Sequence, residues 1–164
     1  MERSIALIAI FAALIAALGL MPQLMLATGV PITAQSLGVM LCGTVLGARR
    51  GGLAVLLFVG LVALGLPLLA GGRGGLGVFA SPTVGFLVGF PIAAFTTGFV
   101  MEQLRSQSVG LAASISAAIG GIIVLYAFGI TGFMFVLGKG LGETFIILGA
   151  YIPGDIIKVV LAGF

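Results

Sequence analysis

Residues Gly65–Gly98 read GLPLLAGGRGGLGVFASPTVGFLVGFPIAAFTTG. The stretch leaves one very apolar segment, crosses a glycine-rich loop and enters a second apolar segment. Arg73 sits in the middle of the loop and is the only charge between Arg50 and Glu102. Connections that run over a protein surface are usually polar; this one is not. Glycines let backbone pass close to other backbone or to a ligand. The loop therefore reads as a cover folded over a buried small-molecule site, with a flexible connector between two helices as the alternative.

The 164-residue chain is 61% hydrophobic and 7% charged, with a mean hydropathy of +1.39. A soluble domain carries roughly 25% charged residues, so the composition is that of an integral membrane protein. The net charge of +3 comes from few residues, without the basic patch interleaved with aromatics that nucleic acid requires. There is no histidine and one cysteine, Cys42, which excludes an internal disulfide, a His/Cys metal cluster and a Ser-His-Asp triad. No cofactor and no catalytic residue is expected.

Nucleotide motifs are absent. Gly132–Gly140, GFMFVLGKG, has one residue too many before Gly138-Lys139 and glycine where Ser or Thr should hold magnesium. Gly75-x-Gly77-x-x-Ala80 has no βαβ unit around it. If transport here uses ATP, another subunit supplies it.

The apolar runs predict an all-α membrane bundle of six transmembrane helical segments, forming a single unit over residues 1–164. The first covers Ser4–Met21, about long enough for the roughly 20 residues a bilayer core requires; a cleaved leader is the other reading of such a run. Ala9, Ala13 and Ala17 recur on one of its faces, at a spacing that lets a second helix approach closely. That face packs either within the bundle or against a partner. Pro22–Ala34 is a loop. The second helix runs from Gln35 to Ala48, Arg49-Arg50-Gly51-Gly52 is a charged turn, and the third helix runs from Leu53 to Leu66. Ser81 is expected to cap the fourth helix, with Pro82 in its first turn and a kink at Pro91. Glu102–Ser108 is a turn, the fifth helix runs from Val109 to Phe128 or beyond, and Gly129–Gly142, with its several glycines, reads as broken or re-entrant. The sixth helix begins at Pro153-Gly154-Asp155. The segment from Asp155 to Phe164 is too short to cross the bilayer, so the last helix is expected to be truncated.

On a six-span count Arg3, Arg49, Arg50 and Arg105 fall on one side, and Arg73 and Lys139 on the other. The positive-inside rule then places both ends of the bundle in the cytoplasm. The Gly65–Ser81 loop between helices three and four, the Pro22–Ala34 loop and the start of the sixth helix share the extracellular face.

The organising stretch is similar to the signature of the biotin-specific S components (BioY) of energy-coupling-factor vitamin transporters. Val30-Pro31-Ile32-Thr33-Ala34-Gln35-Ser36-Leu37-Gly38 and Ile152-Pro153-Gly154-Asp155-x-x-Lys158 carry the same resemblance, in the family's order and spacing. The chain departs from the pattern at Val84 and Phe86, where glycine and tyrosine are expected, so position 86 offers no hydroxyl. The resemblance implies a multi-pass subunit of the prokaryotic plasma membrane that captures biotin on the outer face. It also implies partners: a transmembrane coupling subunit (the T component), docked on the alanine face of the first helix, and two cytoplasmic ABC-type ATPases. An S component for a different vitamin, a structural membrane scaffold packed through small residues, and an intramembrane enzyme are the competing readings.

Asp155 and Lys158 share a helix face in an apolar context. A charge deep in a membrane helix costs about 2.5–3.5 kcal/mol on insertion scales, so each requires a partner. One reading makes Asp155 a helix cap and Lys158 its counter-ion; the other makes the pair a binding site. Biotin's ureido ring has two N–H donors and one carbonyl acceptor, and its tail ends in a carboxylate. Asp155 suits a ureido N–H, and Lys158 suits the ureido oxygen or the carboxylate. Thr33 and Gln35 would complete the polar contacts, Phe79 and Phe86 would pack on the ring system, and Arg73 would pair with the carboxylate or stay solvated. Thr33 also reads as an ordinary helix cap. Lys139 and Glu143 form a local pair, and Arg49 and Arg50 set topology.

Overall fold

The computed structural model describes residues 2–25 and 31–164; the part of the Pro22–Ala34 loop at 26–30 lies outside the described residues. Most of the described residues are helical: α1 (Glu2–Leu18), α2 (Gln35–Leu46), α3 (Ala48–Ala63), α4 (Val84–Gln103), α5 (Val109–Ala118), α6 (Leu125–Leu137), α7 (Leu141–Gly149) and α8 (Ile152–Gly163). A two-residue antiparallel pair, β1 (Leu24–Met25) with β2 (Pro31–Ile32), closes the chain between α1 and α2. By length and composition α4 and the continuous run Val109–Leu137 are able to cross a membrane. α7 and α8 form a third such span if counted together across their 56° bend.

α4 is the central post. It packs on α2, α3, α5 and α6, and its buried side carries Gly85, Gly89, Ala93, Ala94, Thr97 and Gly98. Small side chains are what bring its neighbours close, because association in lipid depends on van der Waals packing. At Gly85 a neighbour comes very near: a Cβ there would lie 2.1 Å from the carbonyl oxygen of Phe128 on α6. Pro91 lies inside α4 without ending it. The main core gathers Ile15, Val39, Val55, Phe58 and Val62 around this post. Outward positions such as Ile5, Ile123 and Phe135 remain exposed, as apolar side chains facing lipid do.

Several predicted boundaries are corrected. Arg49-Arg50-Gly51-Gly52 is not a turn. The chain reverses at Gly47 alone, and α3 restarts at Ala48 because the Glu102 carboxylate accepts its N–H at 2.9 Å. Ser81 does not cap α4: its backbone is extended, its hydroxyl donates to the Val78 carbonyl at 2.6 Å, and the helix begins at Val84. Pro82 consequently lies ahead of the helix. Gly129–Gly142 is broken, as expected: α6 ends at Leu137 and left-handed Gly138 follows. Its first two glycines, Gly129 and Gly132, stay helical and accommodate the ring of Phe86 and the backbone of Gly85. A further irregularity lies earlier, in a π-helical turn over Ile119–Val124. α1 ends at Leu18, short of Met21, and α8 opens at Ile152 with Pro153 in its first turn.

Candidate functional site

At one end of the bundle the starts of α2, α4, α6 and α8 surround a cavity of about 90 Å³. One water requires roughly 10–15 Å³ by the same measure, so the space suits a small molecule. Its apolar wall includes Ile32, Leu69, Phe86, Leu87, Phe90 and Leu125. Its polar wall is built from Ser36, Tyr126, Tyr151, Asp155 and Lys158, with Thr33, Gln35 and Arg73 toward the loop.

The polar wall starts from α8. Asp155 is in its first turn and 7% exposed, and Lys158 follows one turn later on the same face. Lys158 Nζ lies 2.7 Å from Asp155 Oδ1 and 2.8 Å from Ser36 Oγ. Ser36 Oγ in turn donates to Asp155 Oδ1 at 3.3 Å. On the other side Tyr126 Oη donates to Asp155 Oδ2 at 2.5 Å. Asp155 is therefore not a backbone cap; α8 has no side-chain cap bond. A buried ion pair is tolerated when further hydrogen bonds satisfy both partners, and Ser36 and Tyr126 supply them.

Tyr126 is the second residue after the π-helical turn. A π turn takes one more residue than an α turn, which rotates all that follows by about 100° around the axis. Across this turn the Gly120 backbone passes against Thr97 of α4, and Tyr126 comes out aimed at Asp155. The Phe86 ring meets Tyr126 edge-on, centroids 5.7 Å apart at 89°. The hydroxyl that position 86 lacks thus enters the site from α6 instead.

The loop after α3 is closed by backbone. Leu69 and Arg73 pair across a tight turn, Leu69 N to Arg73 O at 3.0 Å, and Gly71 and Gly72 supply the positive φ values of 78° and 69° that the turn needs. Gln35 holds this turn down. Its amide nitrogen donates to Leu68 O at 3.0 Å and to Ile15 O at 3.2 Å, and its oxygen accepts from Ala70 N at 3.0 Å. Arg73 Nε bonds to the Ala70 carbonyl at 3.2 Å, and the side chain reaches the cavity edge. Thr33 Oγ1 accepts the Gln35 N–H at 3.3 Å, at the mouth of α2.

Of the residues expected at a site, the fold brings Asp155, Lys158, Gln35, Thr33, Arg73 and Phe86 to one cavity. Phe79 is not among them; it lies in the short 3-10 turn Leu76–Ala80 and packs, partly buried, against the main core. Ser36 and the two tyrosines are additions. Ala9, Ala13 and Ala17 stand far from the cavity residues in role: all three are exposed on α1, whose buried side is Ala12 and Ile15. Lys139 and Glu143 form the expected local ion pair.

Chemically, the cavity sets a carboxylate acceptor and an ammonium donor side by side, between hydroxyls, on an otherwise apolar wall. Such a surface recognises a small molecule that carries N–H donors and a carbonyl on a compact apolar frame.

The profile of the BioY family matches residues 2–164. A protein of Rhodobacter capsulatus named biotin transporter BioY is 56% identical over 99% of this chain and 90% of its own length. A protein of the same name from Rhizobium etli is 57% identical, over 98% and 89%. Among solved structures, the S-component for biotin from an ECF-type ABC transporter superposes with a TM-score of 0.93 at 29% identity, over 99% of this chain and 87% of that one. With agreement at this level along nearly its whole length, the chain belongs to the BioY family.

Proposed function

We propose that this protein is the membrane substrate-binding subunit that captures biotin for uptake through an ECF-type transporter. The observation that carries this reading is the buried Asp155–Lys158 pair, completed by Ser36 and Tyr126, at the wall of an apolar cavity.

The donor and acceptor count fits a ureido ring. A carboxylate has about four acceptor positions. Two on Oδ1 are taken by Lys158 and Ser36 and one on Oδ2 by Tyr126, which leaves one for a ureido N–H. An ammonium has three donors. Two serve Asp155 and Ser36, and the third reaches the ureido oxygen or the ligand carboxylate. Phe86 and Phe90 give the fused rings an apolar seat. Arg73, which forms no ion pair among the described residues, serves the tail carboxylate from the loop.

The helices are read as six membrane-embedded segments: α1, α2, α3, α4, α5 with α6, and α7 with α8. Both chain termini lie on the cytoplasmic side of a prokaryotic plasma membrane, and the glycine-rich loop and the cavity open outward. The arginine asymmetry supports this orientation. The protein acts as a transporter subunit and not as an enzyme. The exposed Ala9/Ala13/Ala17 face supports docking of the T component on α1, and two separate ATPase subunits provide the energy.

Equilibrium binding to the purified subunit tests the reading, with biotin, desthiobiotin and unrelated vitamins compared at matched conditions. Saturable biotin binding that the unrelated vitamins do not displace is expected. Preference for another vitamin would reassign the substrate, and no binding of any would reduce the cavity to packing.

A further inference from the structure

We infer that the opposite end of the bundle carries a built site for one anionic phospholipid. Two adjoining grooves share Arg49. The first lies between the ends of α2 and α4 and the starts of α3 and α5, and is polar: Arg49, Arg50 and Arg105 line it together with Thr44 and Gln107. Its one carboxylate, Glu102, accepts the Ala48 N–H and keeps its charge, so against three arginines the groove stays net positive. None of the three guanidinium groups forms an ion pair among the described residues. The second groove runs from Arg49 along α3 and α4 and is apolar, walled by Leu53, Leu56, Pro91, Ile92 and Phe95.

The two grooves match the two halves of one lipid. Three unpaired arginines favour a phosphate, which guanidinium binds through paired N–H donors. The apolar groove between α3 and α4 accepts an acyl chain along Leu53, Leu56, Ile92 and Phe95. Topology-setting arginines alone do not require a groove, and lipid-facing residues alone do not require charge. The shared Arg49 makes the two a single surface. Under the orientation proposed above this end faces the cytoplasmic leaflet, where anionic lipids draw basic residues. The biotin cavity is formed at the other ends of α2 and α4, so the two sites are separable.

Native mass spectrometry of the subunit extracted from bilayers of mixed phosphatidylglycerol and phosphatidylcholine tests the site. Retention of one phosphatidylglycerol is expected, with a preference of about tenfold or more over phosphatidylcholine. The double variant Arg49→Gln/Arg105→Gln is expected to lose that preference while binding biotin as the unmodified protein does, which shows that it is folded. A second variant, Leu56→Trp, fills the apolar groove and leaves every arginine in place; it too is expected to lower retention. Equal retention of both lipids, or a preference unchanged in the double variant, would assign the grooves to bulk bilayer and overturn the inference. Displacement by excess inorganic phosphate would assign the arginines to a free anion and overturn it as well. So would absence of retained lipid combined with cross-linking of position 49 to a partner subunit in the assembled transporter, which would assign the surface to protein.

Discussion

The Tyr126 hydroxyl donates to Asp155 Oδ2 at 2.5 Å, and this contact joins α6 to α8 across the cavity. It satisfies one oxygen of a carboxylate whose other oxygen belongs to Lys158 and Ser36. Hydrogen bonds to charged groups contribute about 1.5–3 kcal/mol. Tyr126→Phe keeps the ring and its edge contact with Phe86 but leaves Asp155 short of a donor. Biotin affinity, measured by isothermal titration, is expected to fall about tenfold to a hundredfold. An unchanged affinity would make the hydroxyl a passive neighbour.

Asp155→Asn preserves shape, replaces an acceptor-only group with a mixed one and removes the charge that balances Lys158. Lys158→Met keeps the stem and removes the charge, which strands Asp155 at 7% exposure. Breaking a buried hydrogen-bonded charge pair from one side costs roughly 2–5 kcal/mol. Each variant is expected to weaken biotin binding by at least about tenfold, which is only about 1.4 kcal/mol. Arg49→Gln, at the far end of the bundle, is the control and should leave affinity unchanged. Near-wild-type affinity in both folded site variants would reduce the pair to a structural ion pair.

How much of this was legible from the residues differs by kind. Asp155 and Lys158 stood out because charges are rare in an apolar chain and their spacing puts them on one face. The order of the helices followed from apolar runs, but their edges did not, since Gly47 and Glu102 set the start of α3 from positions far apart in sequence. The π-helical turn over Ile119–Val124 leaves no trace in hydropathy; Gly120-Gly121 reads as small-residue packing, and the register shift appears only once Gly120 meets Thr97. Tyr126 did leave a signal. The chain has two tyrosines, and both line the cavity; a phenol in an apolar helix requires a polar partner. Ser36 left no signal beyond its place in the Val30–Gly38 segment, because a serine beside Gln35 passes as part of a helix start. Phe79 lies outside the cavity lining and packs, partly buried, against the main core; an aromatic on a loop beside a site gives no sequence signal that separates the two placements.

Gln35 is the one predicted polar contact whose surroundings suggest a different task. Both amide hydrogens and its oxygen are engaged, with Ile15 on α1 and with Leu68 and Ala70 on the loop. It therefore fastens the cover loop to the rest of the site, and only the second lone pair of its oxygen remains for a ligand. Gln35→Leu keeps bulk and releases all three bonds, leaving buried carbonyls and an N–H unpaired. Release of the loop is expected to raise the dissociation rate of radiolabelled biotin about tenfold or more, with a smaller change in association rate. A loss confined to the association rate would argue against a latch and for a role in admitting the ligand.

The last prediction concerns α1, which needs no ligand to be tested. Ala9, Ala13 and Ala17 are exposed, while Ala12 and Ile15 make the contacts that hold α1 to the bundle. A side chain enlarged at position 13 consequently meets no atom of the bundle core. Helix association in a bilayer depends on close backbone approach across small residues, so bulk at position 13 separates α1 from any helix seated on that face. Ala13→Trp is expected to abolish co-purification of the coupling subunit and ATPases while the isolated subunit binds biotin with unchanged affinity. Loss of biotin binding with assembly intact would mean that the alanine face packs inside the subunit, contrary to its exposure here. Survival of both would move the docking surface to another helix and leave the alanines as lipid-facing residues.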